Sequence, residues 1–437
     1  MSVTLNTLRS DARAIFDAAL RAADPRLAVE RVLARRGERL LLNGLPIFDF
    51  TRGKLTVIGA GKAGAPMAQA VEEIVGPVDD YLGAVTVKYG HTSSTRSILL
   101  YEAGHPLPDK NTLRFTHSLV SLLEEQTEND LVLCLFSGGG SALFEWLVNG
   151  VTLDDLRMFT NALLRCGATI YEINALRKHI SRVKGGQIAR LAQPARVVSL
   201  ILSDVLGSPL DVIASGPTAP DSSTFADCIA LVEKYHLRET FPRSILEHYE
   251  RGARGEIPET PKASDALFAR VTNVIIADNK IACDAAAQEA RARGYAVNVL
   301  STTMQGEARD IGRELAKKGI EGEKGHCWLA GGEPTVTLRG NGKGGRAQEL
   351  TLAAAIEIAG DDEIVVFSAG TDGTDGPTDA TGALADNTTV SRARALGMDA
   401  RAFLEDNDAY HFFAALADLM ITGPTNTNVN DLMICLK

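Results

Sequence analysis

Two glycine-rich segments of this sequence each follow a short apolar run, and both could bind an anion. The first, Gly59-Ala60-Gly61-Lys62-Ala63-Gly64, has the form G-x-G-x-x-G. Backbone N–H groups at such a turn between a strand and a helix can hold a phosphate, and Lys62 adds a positive charge. A tight glycine turn with a solvated lysine is the alternative interpretation.

The second glycine-rich segment, Ser137-Gly138-Gly139-Gly140-Ser141, follows the apolar run at 131–136. Consecutive glycines let several N–H groups approach an oxyanion because no Cβ is in the way. The chain has no Walker A pattern, so a nucleotide site would be of another type. Ser141 is followed by Ala142 and Leu143, which excludes a G-x-S-x-G nucleophile elbow.

A cationic segment comes next in the chain. It contains Arg177, Lys178, Arg182 and Lys184. The spacing predicts that the first three share one face of a helix that ends at Gly185. A solvated face is the usual reason for such a run, and a positive wall for an anionic substrate is the alternative.

Carboxylates follow two of the apolar runs. Asp204 comes directly after the run at 196–203, where it could bind Mg²⁺ or cap a helix. Asp372, Asp375 and Asp379 lie within one stretch of eight residues, 372–379, that follows the run at 363–367, as the ligands of an oxygen-ligand cation site would. The twelfth position of this loop is not Glu and no helix precedes it, so it is not an EF-hand calcium loop.

Arg346 stands at the predicted start of an Ala-rich helix, after the glycine-rich stretch 340–345. A guanidinium there would offer a fork to a carboxylate or phosphate, reinforced by free N–H groups of the first helical turn. Glu333 lies in a second polar segment nearby in the chain. Asn428 belongs to the polar loop 423–431, which could be only a turn.

The elements that must position these residues form two α/β patterns. In the first pattern, helical stretches alternate with apolar runs at 55–59, 83–88, 98–104, 131–136 and 196–203. Unbroken runs of this kind are typical of parallel strands buried on both faces. The pattern predicts a Rossmann-like, doubly wound parallel sheet.

The charged segment 235–270 contains Gly and Pro and no strand pattern, and we interpret it as a linker. The alternation then restarts, with apolar runs at 271–278, 295–301, 326–333, 363–370 and 432–436. We therefore predict an N-terminal domain at 1–258 and a second α/β domain at 259–437.

Composition narrows the class of protein. A hydrophobic fraction of 45% and a charged fraction of 23% are typical of a globular protein. The formal net charge of −10 argues against a nucleic-acid or anionic-membrane partner. The first residues lack the continuous apolar stretch of a signal peptide, so we expect a cytoplasmic protein. The six Cys are scattered, with no C-x-x-C pair, and we expect reduced thiols.

Taken together, the segments resemble the glycerate 2-kinase family, whose members are often labelled hydroxypyruvate reductases and carry a MOFRL-type C-terminal domain, here at about 325–437. The resemblance covers nearly the whole chain. It rests on GAGKAG at 59–64, GHPLPD at 104–109, FSGGGSAL at 136–143, SDVLGSPLDVIASGPT at 203–218, GGEPTVT at 331–337, GGRAQEL at 344–350, AGTDGTDGPTDA at 369–380 and GPTNTNVND at 423–431.

The resemblance implies ATP-dependent phosphorylation of D-glycerate at C2, with Mg²⁺ or another divalent cation and an active site in a cleft between the two domains. Catalysis would involve Lys62, Arg346 and Asp204, and the metal would be held by Asp372 and Asp375. The expected ATP- and substrate-binding residues are Gly59, Gly61, Ser137, Gly138, Gly139, Gly140, Ser141, Arg182, Lys184, Glu333 and Asn428. The expected partners are the small-molecule substrates, and the formation of a homodimer is left open. Which carboxylate binds metal and which acts as base is also left open.

Two other functions compete with this hypothesis. A nicotinamide-dependent hydroxypyruvate reductase would use GAGKAG as a dinucleotide turn. That fold needs an acidic ribose ligand at the end of the second strand, which instead ends in Val87-Lys88-Tyr89; Asp79 and Asp80 precede the strand. A regulator that binds a nucleotide or a sugar phosphate without turnover is the more distant alternative.

Overall fold

The computed structural model describes residues 4–77 and 81–437. Asp79 and Asp80 lie outside the described residues. By its internal contacts the chain divides into two units. The first unit comprises Pro25–Leu202 and Ser208–Ile276, and the second comprises the described residues up to Asp24, Ser203–Gly207 and Ala277–Lys437.

The strands are β1 Leu33–Arg36, β2 Arg39–Leu42, β3 Leu45–Asp49, β4 Leu55–Ala60, β5 Tyr81–Lys88, β6 Ile98–Ala103, β7 Leu131–Phe136, β8 Arg196–Leu202, β9 Val271–Ala277, β10 Ala296–Met304, β11 His326–Gly332, β12 Val365–Gly370, β13 Gly382–Asp386, β14 Leu419–Met420 and β15 Asp431–Leu436.

The α-helices are α1 Leu5–Ala23, α2 Pro25–Val32, α3 Gly64–Val75, α4 Lys110–Ser121, α5 Gly140–Leu143, α6 Leu153–Cys166, α7 Ile170–Lys178, α8 Gln187–Leu191, α9 Phe225–Lys234, α10 Arg243–Ala253, α11 Asn279–Ala292, α12 Ala308–Glu321, α13 Arg346–Glu357, α14 Thr389–Ala395, α15 Ala400–Glu405 and α16 Ala409–Leu416. Short 3₁₀ helices occur at Ile213–Ser215 and Ala266–Arg270.

The main sheet of the first unit has the strand order β6-β5-β4-β7-β8-β9. The pairs from β6 through β8 are parallel. Strands β4 and β7 are buried along their whole length, as their unbroken apolar sequences predict. The strand order reverses between β4 and β7, and ligands of doubly wound sheets bind beside the carboxyl ends of the strands at such a point. The glycine-rich segment 59–64 begins at the end of β4, and the segment 137–141 directly follows β7.

The sheet of the second unit is mixed, with the order β10-β11-β15-β12-β13-β14. Only β10 and β11 pair in parallel in this order, whereas β15 is antiparallel to both of its neighbours, β11 and β12. The buried strands β11, β12 and β15 carry the apolar runs that the sequence predicts. The predicted α/β class of both parts is therefore confirmed, and the first sheet is doubly wound as expected.

We predicted that one domain ends at residue 258 and the next begins at residue 259. The boundary between the two units of the structure lies elsewhere. Helix α1 belongs to the second unit because its apolar stripe, which includes Ile15 and Phe16, packs on β12 and α11. The rings of Phe16 and Phe367 lie 5.1 Å apart. Strand β9 belongs to the first unit because it extends the first sheet beyond β8.

The interpretation of residues 235–270 as a linker is wrong. Helix α10 lies within this segment, and its Ile245 and Tyr249 are fully buried in a helical core of the first unit. The Tyr249 hydroxyl donates to the Leu176 carbonyl at 2.7 Å. The high charge of the segment belongs to the exposed face of an amphipathic helix.

Two other expectations concern the chain as a whole. All six cysteines are free of disulfides, as the scattered spacing predicts. Within the described residues no helix is both long and apolar enough to cross a membrane.

Candidate active site

The two glycine-rich segments of the first unit are joined by hydrogen bonds. The amide of Ser137 donates to Ala60 O at 3.1 Å, and the Ser137 hydroxyl accepts from the amide of Ala63 at 3.0 Å. Gly61 has a φ of +145°, and a Cβ on it would lie 2.0 Å from Ser137 Oγ. Gly61 is therefore required both by the backbone conformation and by the close approach of the second loop.

The turn at 59–64 does not present its N–H groups to an anion, as the sequence led us to expect. The amide of Gly61 donates to Thr86 O at 3.0 Å, and the amide of Lys62 donates to Gly138 O at 2.9 Å. The amide of Gly64 is bonded within the turn itself, to Gly61 O. Gly59 lies inside β4, where a Cβ would meet Leu135 O at 2.2 Å, so it serves strand packing.

The amides of Gly138 and Gly139, in contrast, have no acceptor in the described parts of the chain. Gly140 is different, because its N–H donates to Ser137 O at 3.1 Å. Ser141 Oγ lies 2.8 Å from Ser215 Oγ and accepts from Arg177 Nη1 at 3.2 Å. The second loop thus keeps two N–H groups that could bind an oxyanion.

Lys62 and His105 lie against this loop. A Cβ on Gly139 would lie 2.9 Å from His105 Cδ2 and 3.4 Å from Lys62 Cγ. Lys62 forms no salt bridge within residues 4–77 and 81–437. Burial, with smaller contributions from Lys62, Lys88 and His91, lowers the pKa of His105 to about 4. We call Lys62, Gly138, Gly139 and His105 the glycine-loop site: an uncompensated ammonium, two free amides and a neutral imidazole.

The cationic segment does not form the predicted solvated face, and its helix ends at Lys178, not at Gly185. Lys178 is buried, and its ammonium lies 3.2 Å from Asp221 Oδ1 and 3.3 Å from Asp211 Oδ2. The spacing alone could not reveal these two carboxylates, because they come from a later segment of the chain.

Lys184 and Arg182 have contacts of different kinds. Lys184 is fully buried, lies 3.2 Å from Glu145 Oε2 and donates to Phe144 O. Burial lowers the pKa of Lys184, and Glu145 opposes that change. The Arg182 guanidinium stacks over the Trp146 ring at 5.0 Å. Substrate binding by either residue stays a prediction, and the charge of Lys184 is already balanced.

In the second unit, Arg346 is the first residue of α13 and is held by two carboxylates. Its Nε and Nη2 donate to Asp431 Oδ2 and Oδ1 at 2.7 and 3.0 Å. Its Nη1 donates to Glu333 Oε1 at 2.8 Å. Burial alone would lower the pKa of Arg346, but Asp431 and Glu333 raise it above its ordinary value. The planar fork that the sequence predicts is present, and Asp431 occupies it.

Two N–H groups in the first turn of α13 are not free, contrary to the expectation. Asp375 accepts from the amides of Ala347 and Gln348 at 3.1 and 2.8 Å, so it caps the helix from a distant loop. Burial raises the pKa of Asp375 to about 7, although these two hydrogen bonds favour the carboxylate. Burial also raises the pKa of Asp431 to about 6, against the opposite effect of Arg346.

Arg346, Asp375 and Asp431 line a cavity of about 670 Å³ in the second unit. We call it the acidic pocket. Its lining consists of Pro334, Thr335, Val336, Leu338, Gly342, Gly344, Gly345, Arg346, Glu349, Asp372, Thr374, Asp375, Gly376, Pro377, Asn407, Asn428 and Asp431. The fold therefore brings together Arg346, Asp372, Asp375 and Asn428, which are distant in sequence.

The predicted metal ligands have unequal freedom. Both oxygens of Asp375 accept helix amides. Asp372, within the described parts of the chain, is bonded through Oδ1 alone, to the amide and hydroxyl of Thr374. In the described residues no group of three or more His, Cys, Asp or Glu could hold a metal ion. Magnesium is commonly held by one or two carboxylates together with substrate phosphates, and Asp372 suits that arrangement.

Asp204 is half-buried and follows β8. It is not without an interaction partner, and its role as a base or a metal ligand stays a prediction.

Two residues of these sites were missed as site candidates. His105 and Asp431 both lie in segments quoted for the resemblance, GHPLPD and GPTNTNVND. Asp431 opens a buried apolar strand, and a carboxylate at such a place needs a cation partner. That feature could have indicated its pairing with a cation. Nothing in the sequence predicts the contact of His105 with Gly139.

Comparisons with known proteins give the family. Residues 11–250 match a family described as a domain of unknown function (DUF4147), and residues 326–431 match the MOFRL family. The chain is 42% identical over 426 residues to a glycerate 2-kinase of Pyrococcus horikoshii, an alignment that covers 96% of this chain and 94% of that protein. The chain belongs to the glycerate 2-kinase family.

Other members of the family agree with this assignment. A crystal structure of a glycerate kinase from Thermotoga maritima superposes with a TM-score of 0.87 at 39% identity, covering 99% of both chains. A relative from Agrobacterium vitis, 39% identical with coverage of 97% of this chain and 93% of that protein, is provisionally named a hydroxypyruvate reductase. The family thus carries both names that the sequence resemblance suggested.

Proposed function

We propose that this protein transfers the terminal phosphoryl group of ATP to the C2 hydroxyl of D-glycerate, giving 2-phosphoglycerate. The observation that carries the proposal is the identity of 42% with a glycerate 2-kinase over nearly the whole length of both chains. Phosphoryl transfer needs positioning and positive charge around the moving group more than covalent chemistry by the protein. The residues of this chain supply both.

Glycerate is an anion, and the glycine-loop site is suited to an anion. Lys62 offers a charge that no carboxylate of the described chain neutralises, and the Gly138 and Gly139 amides offer two donors. The neutral His105 can accept a hydrogen bond from a hydroxyl without adding a competing charge. In this proposal Lys62 stabilises the negative charge that develops on the transferring phosphoryl oxygens.

Arg346 acts in the same reaction from the second unit, held in place by Asp431 and Glu333. Asp372 is the better candidate for Mg²⁺, because both oxygens of Asp375 are engaged by α13. A bound Mg²⁺ would neutralise the charge of the phosphates. Asp204 is the candidate for accepting the proton of the glycerate hydroxyl.

A coupled assay tests the function. Purified protein with D-glycerate, ATP and Mg²⁺ should release ADP, and omission of either substrate should stop the release. The product should feed enolase without added mutase, because only the 2-phosphate is an enolase substrate. A product that requires mutase would show that C3 is phosphorylated.

The nicotinamide alternative is tested in parallel. A reductase would change the nicotinamide absorbance when it is mixed with hydroxypyruvate and the reduced cofactor. Turnover in that assay without ADP release from ATP and glycerate would overturn the kinase proposal. Binding of ATP with turnover in neither assay would instead favour a non-enzymatic regulator.

A further inference from the structure

We propose that the acidic pocket of the second unit binds the nucleoside part of the nucleotide, its base and ribose. This inference rests on the kinase function proposed above and adds a location for the donor. It assigns the pocket to a neutral group with one apolar face and several polar edges.

The size and the wall of the pocket favour a nucleoside. Ligand pockets typically measure about 300 to 1,000 Å³, and this one measures about 670 Å³. Glycerate has only three carbons and would leave most of that volume empty. One part of the wall is apolar and comes from Pro334, Val336, Leu338 and Pro377. A planar base can pack against such a wall, whereas glycerate has no apolar face.

The charge of the pocket excludes glycerate more strongly. Its lining includes the carboxyl groups of Glu349, Asp372, Asp375 and Asp431 but only one cation, Arg346. Arg346 is already bonded to Asp431 and to Glu333. Arg309 pairs with Glu349, but Asp372 has no salt bridge in the described chain, so the carboxylate of glycerate would meet a negative charge and no free cation. A neutral nucleoside would not be repelled.

The same polar groups can recognise a nucleoside. Carboxylate oxygens accept hydrogen bonds from ribose hydroxyls and from an exocyclic amino group. Asn428 is half-buried and lines the pocket, where its side-chain amide can donate to a ring nitrogen. Gly342, Gly344 and Gly345 add a segment of the wall that consists of backbone, which a ligand can approach closely.

Leu338 gives the sharpest test, because it lines the pocket yet is 79% exposed, so its replacement costs little packing. We expect Leu338→Ala to weaken binding of adenosine and of Mg·ADP by about fivefold, because a largely exposed leucine gives the ligand only part of its apolar surface. Leu338→Glu should weaken both further, because it replaces the apolar wall on which the base packs with a solvated carboxylate. Titration calorimetry measures both ligands, and adenosine reports on the base and ribose without any phosphate.

The control is Leu396→Ala, which removes an exposed leucine of the same unit that does not line the pocket. It should leave both affinities unchanged. In the coupled assay the Leu338 variants should raise the KM for ATP by a similar factor and leave the KM for D-glycerate unchanged. Wild-type affinities in both Leu338 variants, or a rise in the KM for glycerate alone, would overturn the inference.

The inference can fail separately from the proposed function. Release of ADP from ATP and glycerate together with unaltered nucleotide binding in the Leu338 variants would leave the kinase standing and remove the nucleoside from this pocket. Adenosine binding that depends on Leu338, without any glycerate kinase activity, would keep the nucleoside in this pocket and remove the proposed kinase function.

Discussion

The glycine-loop site and the acidic pocket look alike in sequence but differ in charge compensation. Each contains glycines after a buried strand and one prominent cation, Lys62 or Arg346. No carboxylate of the described chain pairs with Lys62, whereas two carboxylates hold Arg346. A cation in a glycine loop is therefore free to bind an anionic ligand only where the fold brings no carboxylate to it.

The carboxylates of the second region also engage part of its backbone. Gly138 and Gly139 keep amides that no described acceptor satisfies, whereas Asp375 accepts from the amides of Ala347 and Gln348 in α13. A small anion should accordingly bind at the first region, and the second should take a neutral group or a cation. The predictions below test this division.

The largest expected effect is that of Lys62→Ala on turnover. Removal of one donor to a developing oxyanion commonly lowers kcat by about 10² to 10³, so we expect at least about a hundredfold loss in the coupled assay. The melting temperature should not change, because Lys62 has no salt bridge among the described residues to lose.

Lys54→Ala is the matched control, since Lys54 precedes the same strand, β4, at its opposite end and is exposed. Its turnover should equal that of the wild type. Turnover within about threefold of wild type in Lys62→Ala, well below the expected factor, would remove Lys62 from the mechanism and with it the contrast between the two regions.

A smaller loss of turnover is expected for Arg346→Lys. Lysine keeps the charge but cannot form the planar bonds to Asp431 while it also reaches Glu333. We expect kcat to fall at least about tenfold, with a lower melting temperature because the buried Asp431 loses part of its pairing. Arg339→Lys, at an exposed arginine of the same unit, should have no such effect. Near-wild-type turnover in Arg346→Lys would show that the fork is dispensable.

The third prediction concerns the metal. Asp372→Asn should raise the Mg²⁺ concentration for half-maximal activity by roughly tenfold, because it removes the carboxylate best placed to accept a metal. Asp379→Asn is the control in the same loop, where Asp379 accepts from the Tyr410 hydroxyl at 2.7 Å. An equal Mg²⁺ requirement in the Asp372 and Asp379 variants would show that the metal binds elsewhere. Full activity in excess chelator would show that the reaction needs no metal.

The sequence predicted the strands of both sheets that carry chemistry, because apolar runs such as 131–136 and 432–436 are unambiguous. It did not predict β1 to β3, which are short and antiparallel, or the assignment of α1 to the second unit. At the sites it identified the residue types but not their partners. The pairs Lys178 with Asp221 and Arg346 with Asp431 join residues 43 and 85 positions apart, and no local spacing encodes such contacts.

The smallest expected effect separates a capping role of Asp375 from a metal-binding one. Burial raises the pKa of Asp375 to about 7 from the ordinary 3.8, so the folded protein holds a proton that the unfolded chain has lost between these pH values. Folding stability due to this group therefore falls as pH rises from about 4 to 7, by up to about 1 kcal/mol per pH unit, and then levels off.

Asparagine keeps an oxygen for the α13 amides but does not titrate. The melting temperature of Asp375→Asn should thus rise relative to wild type as pH increases from 5 to 7, by about 2 to 4 °C per pH unit at most, and the difference should be constant above pH 7. Asp361→Asn, at an exposed carboxylate, gives the baseline. A difference independent of pH would mean that Asp375 is ionised in the folded protein, which would return it to the candidates for holding Mg²⁺.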